Sequence, residues 1–116
     1  MLAQDYETRS TLSTTQLTQN VWARRLKEAR LAAGLSQRAL GIAAGIDESV
    51  ASTRINRYEV GVHAPDFGTS TRIAAVLNLP VAFLYCDVDE LAEVLVALHR
   101  ADLSQRARVR DVLGLR

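Results

Sequence analysis

The sequence predicts an all-α protein, and three observations carry that prediction. Apolar residues recur at three- and four-residue intervals in five short stretches, no segment reads as a strand, and a tight glycine turn joins two of the stretches within 36–61. With 116 residues and 48% hydrophobic content, the chain can bury one small core and carry extensions, but not a second globular domain. The expected organisation is a flexible N-terminal arm at 1–19, a five-helix domain at 20–86 and a helical C-terminal extension at 87–116.

The arm is rich in Thr, Ser and Gln and sustains neither periodicity. Arg9 stands against Asp5 and Glu7, so it lacks the charge of an arm that enters a DNA minor groove, and an inert leader is the simpler reading. Helix one is expected to start with Thr18 or Asn20 as cap and to bury Val21 or Trp22, Leu26 and Ala29. Gly34 stops it and Leu35 docks on the core. Arg24, Arg25 and Lys27 read as a solvated face.

Helix two opens with Ser36, whose hydroxyl can accept from free first-turn amides, and closes at Gly45, where positive φ is free of steric cost. Ile46 plugs the turn from below. Asp47 is expected to cap helix three, with Glu48 in its first turn. At roughly 100° per residue, Ala51, Ile55 and Tyr58 share one face of that helix, while Ser49, Ser52, Thr53 and Asn56 share the opposite one. Arg54 and Arg57 flank the second face. Short, uncharged, hydrogen-bonding side chains let a helix sit in a DNA major groove, where base edges carry a readable donor and acceptor code. The plainer alternative is a solvated helix face.

Gly61 and Pro65 punctuate a loop. Asp66 should cap a fourth helix burying Phe67, Ile73, Ala74 and Leu77; Asn78 ends it, and Pro80 opens a short fifth with Val81, Leu84 and Tyr85 inward. In the extension, Leu91, Val94, Leu95 and Leu98 form an apolar stripe between Asp87 or Asp89 and Arg100. Ser104 should cap a last helix with a weaker stripe of Val109, Val112 and Leu113, stopped by Gly114. These two helices either fold back on the core or pair with another subunit; a five-helix core that is already complete favours pairing, so the stripe is assigned to dimerisation.

The net charge is +1, but residues 21–85 hold eight Lys or Arg against five Asp or Glu, so the basic excess lies with the helix pair. Cys86 is the single cysteine; an internal disulfide is impossible, and a buried thiol in a reducing, cytoplasmic setting is expected. No apolar run approaches the roughly twenty residues of a membrane helix, and the start has no signal-peptide pattern. His63 and His99 lack metal-ligand spacing, and neither a phosphate loop nor a nucleophile elbow occurs. No metal, cofactor or catalytic residue is therefore assigned.

Positions 24–85 resemble the lambda-repressor-like helix-turn-helix domain of Xre and Cro regulators. The matching features are LKEAR followed by GLSQ, Leu40, the Gly45-Ile46 turn, Ile55 through Tyr58-Glu59-x-Gly61, Pro65 and RIAAVLNLP. The resemblance implies a five-helix domain that binds a double-stranded DNA operator as a homodimer. It implies further that Gln37 contacts the DNA backbone, with Arg38 beside it, and that Arg30 and Glu59 form a buried ion pair. Two departures stand out. Gly45 to Glu59 spans fourteen residues where about ten is usual, and an insertion of four rotates a helix by only about 40°, so a recognition helix one turn longer is the simplest expectation; a longer turn with Ser49 as cap is the alternative. Gly41 replaces the usual alanine, which weakens helix two by about 1 kcal/mol but permits close packing.

A sequence-specific repressor is the leading functional reading. An antitoxin whose tail binds a toxin, or a helical interaction module without DNA binding, are the alternatives. The thirty residues after Cys86 are too few for a self-cleaving repressor domain.

Overall fold

A computed structural model describes residues 14–116, with side chains from Val21 onward. The described residues form seven helices: α1 (Thr14–Ala32), α2 (Gln37–Ala43), α3 (Ala51–Glu59), α4 (Phe67–Val76), α5 (Val81–Leu84), α6 (Asp89–Arg100) and α7 (Leu103–Val112). Residues 1–13 of the expected arm lie outside the described residues. α1 starts earlier than expected, with Thr18 and Asn20 inside it rather than capping it. No glycine or proline interrupts 14–32, so a helix nucleated by the packed segment around Trp22 and Leu26 extends backwards at little cost.

Five helices end in one way. After α2, the Ile46 amide donates to Gly41 O (2.9 Å) and the Gly45 amide to Ile42 O (3.0 Å), with Gly45 at φ +86°. This double bond satisfies the last carbonyls of the helix and turns an apolar residue onto the core. The same pair of bonds closes α1, α3, α4 and α7, with Leu35 and Leu79 packed on the core in the corresponding place and Val62 and Leu115 exposed. Asn78 takes the left-handed position after α4, at φ +53°.

Leu26, Leu40, Ala51, Ile55, Ile73 and Leu84 are fully buried, and Trp22 packs edge-on against Tyr58 with centroids 5.7 Å apart. Two expected core residues are not in it. Phe67 is 65% exposed, because α4 starts there and its first turn lies outside the packed layer; Ser70, Ile73 and Ala74 form the buried face. Tyr85 is 42% exposed and uses its hydroxyl near Ser70 Oγ (3.1 Å), while Phe83 takes the inward position.

The extension folds back on the domain. Ala92 of α6 is buried, and Leu95 and Val96 pack against the core. Arg25, expected on a solvated face, is 4% exposed: its Nε donates to Cys86 O (2.8 Å), its Nη2 to Asp89 Oδ1 (2.8 Å), and its guanidinium lies over Phe83. At the far end of α6, Arg100 donates to the carbonyls of Asn78 (3.0 Å) and Leu77 (3.2 Å). Five helices alone therefore do not complete the core. Leu91, Val94 and Leu98 remain on the outer side of α6. α7 is capped by Asp102 rather than Ser104: the Asp102 carboxylate accepts from the Gln105 amide while the Gln105 side chain accepts from the Asp102 amide. That reciprocal box satisfies two end donors, which a lone hydroxyl does not match.

Candidate nucleic-acid interface

Ser36 caps α2 as expected, accepting from the Ala39 amide (3.0 Å). It places Gln37 at the first position of the helix, half-buried against α3. The Gln37 side-chain amide donates to Asn56 Oδ1 (3.1 Å) and to Glu59 Oε1 (3.2 Å). Glu59 in turn accepts from Arg30 Nε (2.5 Å) and Nη2 (3.0 Å), and Arg30 Nη1 donates to Leu35 O (2.9 Å). The Glu59 side chain is only 3% exposed, and its hydrogen bond raises the pKa of Arg30. A charge-assisted chain thus runs from a buried guanidinium to a surface amide. Its outer end fixes Asn56, leaving the Asn56 NH2 group to donate elsewhere.

Ala51, Ile55 and Tyr58 form the buried face of α3, and Ser52, Thr53, Arg54, Asn56 and Arg57 are exposed. Ser49 is not on this helix. α3 has nine residues and starts at Ala51, with Val50 at its cap position and no side-chain cap bond. The four extra residues between Gly45 and Glu59 lengthen the turn, not the helix. Asp47 closes that turn instead of capping α3, accepting from the Ser49 amide (2.9 Å) and from Ser49 Oγ. These bonds hold the Asp47 carboxyl below its ordinary pKa, the hydroxyl of Ser49 contributing most. Short polar side chains that bond their own backbone in this way compete with helix formation.

Arg38 is exposed on α2 and is paired with Glu48 of the lengthened turn. Arg72 of α4 donates to Ala44 O (3.0 Å) and braces the end of α2. Beyond α3, Thr53, Arg54, Arg57, Tyr58 and His63 line a cleft of about 460 Å³. Sequence reasoning missed Arg72 and His63 here; neither carries a local signal, since each acquires its neighbours only through folding.

A packed helix pair that presents a polar, arginine-flanked helix is the arrangement of a DNA-binding regulator. The comparisons agree. The chain belongs to the helix-turn-helix family: the family model, described as Helix-turn-helix, matches residues 26–84, just over half of the 116. Among solved structures it is similar to transcriptional regulator BswR, with 40% identity and a TM-score of 0.75 over 79% of this chain and 91% of that one. No curated protein matches the chain. No helix among the described residues is long and apolar enough to cross a membrane.

Proposed function

We propose that this protein is a cytoplasmic transcriptional repressor that binds a two-fold symmetric DNA operator as a homodimer. The observation that carries this reading is the Gln37 to Asn56 hydrogen bond, which fixes a base-reading amide on an exposed polar helix. α3 enters the major groove; Ser52, Thr53 and Asn56 read base edges, and Arg57 reads a base or a phosphate. Gln37, Arg38 and Arg54 hold the sugar-phosphate backbone, and Ser49, displaced into the turn, is left to a backbone contact. Residues 87–116 supply the dimer contact. Supporting this, Leu91, Val94 and Leu98 on α6, Leu103 and Val112 on α7 and Leu113 just after it are all exposed, and Leu98, Leu103 and Leu113 line one cleft. The similarity to BswR, a transcriptional regulator, supports the regulatory role. Selection from a random duplex pool with the full chain tests the reading. Enrichment of an inverted repeat with half-sites about one turn (about 34 Å) or a multiple apart is the expected result; failure to retain any duplex at low salt would overturn it.

A further inference from the structure

The pair formed by Arg38 and Glu48 links two elements with opposite demands. Arg38 is the second residue of α2, next to Gln37, on the rim of the surface assigned to DNA. Glu48 belongs to the lengthened turn between α2 and α3. Both side chains are more than half exposed, so the pair is a surface contact that opens easily and does little for the fold. The turn itself is held: Asp47 fixes Ser49 through its backbone and its hydroxyl, with Ile46 anchored in the core on one side and Ala51 on the other. Glu48 is thus presented toward Arg38 by a segment with its own internal bonds.

We propose that Glu48 competes with DNA phosphates for Arg38, a built-in restraint that lowers the affinity of the domain for any duplex, the operator included. The inference rests on the DNA-binding reading above. On arbitrary duplex, where α3 finds no matching base edges, the carboxylate keeps Arg38 neutralised. Non-specific affinity, which is almost wholly electrostatic, is lowered. On the operator, base contacts hold the domain in register, and a phosphate displaces Glu48 from Arg38. The cost of breaking the pair is subtracted from operator affinity as well, so the turn that departs from the family spacing tempers binding to both kinds of duplex.

The test uses full-length protein, a duplex obtained by selection and a scrambled duplex of equal length, with affinities measured across a salt series. Glu48→Gln should bind both duplexes about two- to fivefold more tightly, the operator by at least as large a factor as the scrambled duplex, with the slope of log K against log salt on the scrambled duplex steeper by about 0.9. Arg38→Ala should abolish the effect of Glu48→Gln in the double variant. An unchanged scrambled-duplex affinity and slope would overturn the proposal, as would an undiminished Glu48→Gln effect in the Arg38→Ala background. Weaker operator binding by Glu48→Gln would overturn it too, since Glu48 would then be making a contact of its own. Wild-type protein that binds neither duplex overturns the DNA-binding reading and this one together; where wild-type protein binds its operator, a failure of the Glu48→Gln result overturns the role of Glu48 alone.

Discussion

A Cβ placed on Gly41 would lie 2.8 Å from the Cβ of Ala51 and 3.0 Å from the Ala51 carbonyl oxygen. α2 and α3 therefore meet where α3 begins, and the absent side chain sets their separation. Gly41→Ala should gain about 1 kcal/mol in helix propensity and lose about 1 to 3 kcal/mol to overpacking against backbone that cannot swing aside. Net destabilisation in urea denaturation is the expected outcome. An alanine variant as stable as the parent would mean that α3 has room to shift.

The ion pair of Arg30 and Glu59 gives a second prediction. Replacing either residue by alanine strands a nearly buried charge and should cost about 3 to 5 kcal/mol. The double variant should cost less than the sum of the singles, because the second change removes the charge the first left unpaired. Additive losses in the cycle would show that the two do not interact energetically.

Asn56→Ala should weaken operator binding by about 1 to 3 kcal/mol and leave binding to scrambled duplex unchanged. Gln37→Ala should lose part of the same discrimination, since Gln37 orients the Asn56 amide. Equal losses on both duplexes would make Asn56 a backbone contact.

Local signals were the legible ones. Ser36, Asp66, Gly34, Gly45 and Asn78 all cap or stop helices where the sequence indicates, because a cap depends on bonds within a few residues. Asp47 misled for the same reason: accepting from the amide two residues on is what a helix cap does, and also what a free-standing turn does. What separated them was the fit of Ala51 beneath Gly41, a contact between helices. Arg25 was illegible in another way. Its partner Asp89 is 64 residues distant, and no spacing rule connects the two.

Hydrogen bonds from Arg25, and then from Arg24, hold the Asp89 carboxyl below its ordinary pKa, and the Thr69 amide does the same for Asp66. A carboxyl depressed in the folded state contributes stability that is fully present above its unfolded value, about 3.9, and is lost as pH falls through the lower folded value. Thermal stability should therefore hold steady above about pH 5 and fall below about pH 4. Asp89→Asn should lower stability at neutral pH and shallow the acid decline; an acid profile identical to the parent's would show that Asp89 plays no part in it.

Dimerisation through the extension is best tested on its outer face. Cutting the chain after Tyr85 would remove Ala92 from the core and leave buried Arg25 without Asp89, so loss of fold would mask loss of pairing. Leu91→Glu with Val94→Lys leaves those anchors in place. Sedimentation of that variant as a folded monomer, against a dimeric parent, is expected; equal masses would move the interface elsewhere.

The anchoring of α6 at both ends, by Arg25 near its start and Arg100 near its finish, leaves the junction without a hinge. In a pair joined through this extension, the two reading helices are the jaws of a locked calliper whose gap is set during folding. An operator whose half-sites are moved apart by two base pairs should then be refused outright, because neither jaw can travel to meet it.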